Sequence, residues 1–313
     1  MGAPKVSQEE FIDLFQRLGP DGAAASIGIP VRRVYERRRS IEHQLGITIV
    51  GPSSRDTRTP VDRRERREVT VQDGTVSGGS DIHIWPGIET TAMRGFVKLC
   101  KDLQPKVVIL NGDILDFPGI SRHNPLGWEH RPEVADELVA AQEWTNLVVN
   151  AAPNATRIWT LGNHDARFEA RIAERIPELA KVHGVHLKDH FPYWENAWSC
   201  WINDGVVVKH RWKGGTHAAW NNVVQSGISI QTGHLHNPNV RAYTDYRGTR
   251  YGVDGGMMAD PFGPQFAYLE DNPRNWRSAF TVQRYIGGHL MCPQLAQVVE
   301  EGKIDFCNDL IRV

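Results

Sequence analysis

Along the first 45 residues apolar positions recur every three or four residues, which predicts helices; from about residue 69 short apolar runs alternate with such helical stretches. Phe11, Leu14, Phe15 and Leu18 follow Ser7 and Glu10, a Ser-x-x-Glu start that satisfies helix N–H groups. After the Gly-Pro-Asp-Gly break at 19–22, residues 23–27 read as a short second helix. Gly28-Ile29-Pro30 then reads as a turn, and a third helix runs from Val31 to about Leu45. Val31, Val34, Ile41 and Leu45 form the expected inner stripe of that third helix, leaving Arg32, Arg33, Arg37 and Arg39 outward. Residues 50–68 carry no apolar period and read as a linker, or as an arm that orders on nucleic acid. The expected division is a small all-α, helix-turn-helix-like domain over 1–48, a basic linker over 49–70 and a catalytic-sized body over 71–313.

The body opens with a weak strand interrupted by Gly74, Gly78 and Gly79. Helix 89–104, strand 106–110, helix 133–151 behind Pro132 and strand 157–161 follow. A charged helix starts after Asp165, and then come strand 205–209, helix 217–226 and strand 228–231, with further strands at 250–253 and 279–283. Such alternation builds βαβ units and a largely parallel or mixed sheet with helices outside. The aromatic run 191–201 reads as core packing ahead of base stacking, and the tail 276–313 as packing or a homodimer surface.

Composition narrows the class. No apolar run approaches the ~18 residues a membrane helix needs, and the first residues lack the apolar segment of a secretory signal, so a cytoplasmic protein without membrane partners is expected. Cys100, Cys200, Cys292 and Cys307 lie far apart with no Cys-x-x-Cys pair, so they read as reduced thiols. The net charge of −1 hides an asymmetry: residues 1–70 hold 13 Lys+Arg against 10 Asp+Glu, and the remainder 23 against 27. A basic third helix behind a glycine-containing turn matches a helix-turn-helix, whose last helix enters the major groove. Nucleic acid, DNA first, is therefore the expected partner, through Arg32, Arg33 and Arg37.

Five polar clusters each fall at a strand end, where open α/β sheets place ligands. They are Asp81-x-His83, Gly112-Asp113-x-x-Asp116, Gly162-Asn163-His164-Asp165, His210 and Gly233-His234-x-His236. The two-residue spacing of Asp81 and His83, repeated in His234 and His236, would aim both side chains to one face of a strand. Asp113 can bridge two cations, Asn163 offers a neutral oxygen and His210 an imidazole, with His217 a rival for that last role. Mixed nitrogen and oxygen donors suit Mn²⁺, Fe or Zn²⁺ (or Ni²⁺) better than Mg²⁺ or Ca²⁺. Two such ions lower the pKa of a shared water and clamp an in-line displacement at phosphorus. His164 is placed to protonate the leaving oxygen, with Asp165 behind it to hold its tautomer.

These motifs, in this order, resemble the signature of the calcineurin-like metallophosphoesterases, and some bacteriophage members join a helix-turn-helix arm to this core. The resemblance implies an α/β fold, a four-layer αββα sandwich, preceded here by the small all-α domain. It implies two divalent ions, Mn²⁺ first: one on Asp81, His83, Asp113 and His236, the other on Asp113, Asn163, His210 and His234. His164 and Asp165 would be the catalytic pair. An arginine that commonly follows the second Asp of Gly-Asp-x-x-Asp is replaced by Phe117, so Arg122 becomes the phosphate-binding candidate, with Arg167 and Arg211 as comparable ones. The expected activity is hydrolysis of a nucleic-acid phosphodiester, in the host cytoplasm if the protein is phage-encoded. The alternatives are a phosphatase or phosphodiesterase on nucleotides or phosphoproteins, and a DNA-binding regulator with a structural metal centre.

Overall fold

The structure, a computed structural model, describes residues 6–47, 49, 51, 66–125 and 127–313. The chain divides into two compact units, Met1–Arg63 and Arg64–Val313. Most of the expected basic linker, residues 52–65, lies outside the described residues.

In the first unit α1 (Gln8–Ile27) breaks at Gly19, where φ is 72° and ψ −179°, just before Pro20. Together with α2 (Val31–Leu45) this makes three helical segments. Ser7 Oγ accepts from the Glu10 N–H at 3.1 Å and caps the first turn. Gly28 ends α1 in the left-handed conformation and returns its N–H to Ala24 O. Phe11, Phe15, Ala23, Ala24, Ile27, Val34, Ile41 and Ile49 form the core. The inner stripe differs from expectation, because Leu45 at the end of α2 is 48% exposed. Between Val34 and Ile41 the space is covered by Arg38, whose guanidinium stacks on Phe15 and pairs with Glu42 at 3.1 Å. A long cationic side chain can cover apolar surface with its stem, which a polar/apolar reading counts as a solvated position.

In the second unit β1 (Arg66–Val69) is followed by β2 (Gly74–Gly79), α3 (Thr91–Leu103), β3 (Val107–Leu110), α4 (Val134–Ala151), β4 (Thr156–Thr160) and α5 (Ala166–Arg175). Then come α6 (Leu187–His190), β5 (Glu195–Ala197), β6 (Ser199–Ile202), β7 (Val206–Val208), α7 (Ala218–Ser226) and β8 (Ser229–Thr232). The chain closes with β9 (Asn239–Asp245), β10 (Gly248–Asp254), β11 (Ala279–Ile286), β12 (His289–Leu290), β13 (Gln294–Glu300), β14 (Lys303–Phe306) and β15 (Asp309–Arg312). One sheet runs β1-β6-β7-β8-β10-β9; the other runs β15-β14-β13-β11-β2-β3-β4-β5, with β12 on β11.

Three cores separate four layers. Val108, Leu110 and Trp159 face α3 and α4, whereas their neighbours Val107, Ile109 and Ile158 face Cys200, Ile202, Val206 and Val208 of the other sheet. Val207 points the opposite way from Val206 and Val208, onto Val223 of α7. The period-two pleat thus feeds both faces of each sheet from one apolar run, which is why these strands read as continuous and not alternating. This is the expected αββα sandwich.

Two sequence expectations shift. The end of the expected linker is β1, paired in parallel with β6; Arg66 stacks on Trp201 at 3.7 Å and Arg67 pairs with Glu195 at 2.8 Å. The tail is integral: β11 pairs with β2 and carries β13, β14 and β15 as an antiparallel extension of the sheet. In the aromatic run Phe191 and Trp194 are buried, while Tyr193 is exposed. No helix among the described residues is long and apolar enough to cross a membrane, and all four cysteines are unpaired.

Candidate metal centre

The five clusters meet at the carboxyl ends of β2, β3, β4, β7 and β8. Backbone bonds lace their loops: Asp81 N–H to Gly112 O at 3.0 Å, His83 N–H to Asp113 O at 3.0 Å, and Gly233 N–H to His210 O at 2.8 Å. Asp81, His83 and His236 bring donor atoms within 4.8 Å of one another, and so do Asp113, His210 and His234. Asp113 Oδ1 takes the His164 N–H at 2.7 Å, and its Oδ2 lies 3.0 Å from His210 Nε2.

The paired donors come together by a route other than the expected strand pleat. Asp81 and His83 have φ of 52° and 43°, and His234 and His236 have φ of 72° and 60°; Asp113 adds 51°. Each i, i+2 pair thus alternates left-handed residues past the strand end. Side chains other than glycine and asparagine rarely hold that conformation, and such strain persists where the surroundings over-determine it. Two motif glycines make room: a Cβ on Gly162 would sit 2.1 Å from Asp113 Oδ1, and one on Gly233 would sit 1.8 Å from Ser80 Oγ.

The donor set fits divalent cations. His83 gives Nδ1 to Asp116 Oδ1 at 2.9 Å and His210 gives Nδ1 to Asn111 O at 2.8 Å, which leaves each Nε2 as the lone pair. His83 Nε2, Asn163 Oδ1 and His236 Nδ1 are buried without a hydrogen-bond partner, and His210 Nε2 has the Asp113 carboxylate beside it. Buried polar atoms left open in this way are rare unless an ion or water completes them. Burial pushes the His83 pKa down against the pull of Asp116, favouring the neutral ring a metal requires. Burial would likewise lower His210, but Asp113 and Asp81 outweigh it and hold its pKa up at about 10 without metal. Asp113 is held far below the ordinary carboxylate range, since His210, His164 and His83 outweigh its burial.

His164 stands beside both clusters, but Asp165 does not hold its ring. Asp165 lies under the loops, its oxygens accepting from the N–H groups of Gly162, Asp113, Ile114 and Leu115 and from the Trp159 indole. Adjacency in sequence misled here, because His164 and Asp165 leave the chain in different directions at the start of α5. Asp116 fills the expected role, its Oδ1 lying 2.8 Å from His164 Nδ1. Asp116 was visible as the last residue of Gly-Asp-x-x-Asp, a signal left without a role. Its N–H and that of Phe117 are fixed by Glu137 Oε2 from α4, at 3.2 and 2.7 Å. No local pattern identifies that glutamate. Phe117, standing in the arginine position, is fully buried and stacks on Phe168.

His217, the rival ligand, is exposed at the start of α7 and outside the clusters. Arg167 donates to Asp116 O at 2.7 Å and reaches His164 Nε2 at 3.1 Å. Arg122, Arg167, Arg171 and Arg211 line one cavity of about 310 Å³ together with Asn163. Of the three arginines expected on nucleic acid, Arg32 and Arg33 are exposed in the first turn of α2. Arg37 is folded back: it donates to Val6 O and lies 4.7 Å over the Phe11 ring.

Residues 80–293 match the model of the calcineurin-like phosphoesterases, and the chain belongs to that family. It is a metal-dependent phosphoesterase by that membership and by its clusters of Asp and His donors. The gene 54 protein of Mycobacterium phage D29 is 23% identical over 241 residues, covering 70% of this chain and 92% of the phage protein. Among solved structures, the zinc complex of Vps29 from Entamoeba histolytica aligns at 13% identity with a TM-score of 0.42, over 76% of this chain and 98% of the other. The phosphoesterase Yfce of E. coli aligns at 13% identity with a TM-score of 0.36, over 76% and 99%.

Proposed function

We propose that the protein hydrolyses phosphodiester bonds of nucleic acid, DNA first, with Mn²⁺ as the favoured ion. The observation that carries this reading is the union of a phosphoesterase centre with a separate helical unit whose last helix, α2, is basic. That unit presents Arg32 and Arg33 at the start of its last helix, where groove-reading helices make their contacts. A small-metabolite phosphatase has no use for such a reader. If the protein, like that relative, is phage-encoded, its work would be done in the host cytoplasm.

Asp81, His83, Asp113 and His236 would hold one ion, and Asp113, Asn163, His210 and His234 the other. Two bound cations lower the pKa of a water and neutralise charge developing at phosphorus. Asp116 keeps the His164 proton on Nδ1 in the neutral ring, so Nε2 is the atom that would serve the leaving oxygen. Burial disfavours a charged His164, but the bond to Asp116 and the charge of Asp113 outweigh it and raise its pKa, which suits an acid. Arg167, at Nε2, opposes that shift and offers its guanidinium to the phosphate.

The test is hydrolysis of bis-p-nitrophenyl phosphate against p-nitrophenyl phosphate, with Mn²⁺ supplied and with metal stripped. Diester cleavage that needs metal supports the reading. Monoester cleavage alone would move the assignment to a phosphatase on nucleotides or phosphoproteins. Silence on both with two ions bound would favour a DNA-binding regulator.

A further inference from the structure

The cavity beside Asn163 gathers three arginines, Arg122, Arg171 and Arg211, that the centre itself does not use, next to Arg167, which it does. Arg122 follows the single turn at 118–120, Arg167 and Arg171 lie one turn apart on α5, and Arg211 follows His210. Its only carboxylate is Glu174, 3.6 Å from Arg171. Among the described residues Arg122, Arg167 and Arg211 form no ion pair with a carboxylate. Arg122, Arg171 and Arg211 are exposed, so water screens their mutual repulsion, and four guanidinium groups against one carboxylate leave the cleft a net positive field that fits an anion. The guanidinium fork matches phosphate oxygens two at a time.

The volume of about 310 Å³ is at the lower end for a ligand pocket, and the lining includes the apolar Ile120 and Ala170. A lone phosphate needs neither the space nor the apolar wall; a sugar carrying a phosphate needs both. We propose that this cavity is a subsite for the phosphate next to the scissile one on a nucleic-acid strand. Arg122, Arg171 and Arg211 grip that phosphate and Arg167 stands between it and His164. The proposal rests on the phosphodiesterase reading and gives it a length requirement: the best substrates carry a flanking phosphate.

The experiment compares kcat/KM for the dithymidine TpT, with one phosphate, and the trithymidine TpTpT, using Mn²⁺-loaded protein. These are too short to engage a groove-reading helix, so the N-terminal unit does not contribute. The wild type should prefer TpTpT by about tenfold or more, the worth of one charge-assisted contact. In Arg171→Ala/Arg211→Ala the ratio should fall towards one; Arg171→Gln/Arg211→Gln repeats the test should the alanine protein fold poorly. A ratio near one in the wild type, or an unchanged ratio in both variants, overturns the subsite. Inhibition of bis-p-nitrophenyl phosphate hydrolysis separates the sources of the second phosphate. Thymidine 3′,5′-bisphosphate should lose potency in the variant while thymidine diphosphate does not; equal losses would overturn the strand assignment. Failure of the wild type to cleave bis-p-nitrophenyl phosphate would instead remove the underlying phosphodiesterase reading.

Discussion

The chain has two gatherings of arginine, and they differ in how the sequence shows them and in what the fold does with them. The first, Arg32 to Arg39, is contiguous and conspicuous. Much of it is engaged: Arg32 and Arg33 pair with Glu36 at 3.0 and 3.5 Å, Arg38 with Glu42, and Arg37 turns back on Val6 and Phe11. The second, Arg122, Arg167, Arg171 and Arg211, is scattered over ninety residues and only the fold collects it. The conspicuous run is largely occupied; in the scattered set Arg167 and Arg171 are engaged at Asp116, His164 and Glu174, while Arg122 and Arg211 form no ion pair among the described residues. Local charge density is therefore a poor measure of available positive potential. Exposed pairs such as Arg32–Glu36 are worth little, so phosphate can displace Glu36, whereas the half-buried Arg37 is held by two backbone carbonyls and the Phe11 ring.

The same contrast holds for carboxylates, and both are open to test, in order of expected effect. Asp113→Ala removes the group shared by both clusters and should lower diester turnover by about 10³-fold or more. It should leave DNA affinity, measured by anisotropy, unchanged; loss of both would mean that the binding function also resides at the centre. Asp165→Asn should spare the chemistry of His164 but cost on the order of 3 kcal/mol, because an amide N–H₂ would face N–H donors. A drop in Tm with little change in kcat per folded molecule is the expected signature, and the reverse would restore Asp165 as a catalytic residue. Asp116→Asn should lower kcat about 10–100-fold with little change in KM, through the orientation of His83 and His164.

Arg32→Ala with Arg33→Ala should weaken DNA binding across sequences and flatten the salt slope by about two, one per lost phosphate contact. Arg37→Ala should act on stability instead, by about 1 kcal/mol. Salt slopes that respond to Arg37 and ignore Arg32 and Arg33 would invert the assignment. The smallest effect concerns pH. Burial, more than the neighbouring Asp116, pushes the Glu137 pKa up to about 8 from 4.5. A raised carboxyl costs nothing below 4.5, where both states are protonated, and its cost grows as pH rises towards about 8. Glu137→Gln keeps an acceptor for the Asp116 and Phe117 N–H groups and should flatten the fall of Tm between pH 5 and 8. Parallel Tm curves for the two proteins would refute that cause.

The amino-acid sequence by itself determined the alternation of strands and helices, the helical unit before it and the candidate donor residues at five strand ends, and through the family resemblance it implied the sandwich. Apolar periodicity specifies which elements form, and a polar triplet after a buried strand has no packing use, so both signals are local. Tertiary structure alone decided which neighbour serves which group. Asp116, thirty-three residues from His83, and not Asp165, holds His164; Glu137 on a distant helix fixes Asp116; left-handed turns, and not strand pleats, converge the paired donors. It also made the tail part of a sheet and collected four separate arginines at one cavity. These outcomes depend on the direction in which side chains leave a folded backbone and on contacts far apart in the chain. Neither quantity is carried by residue spacing.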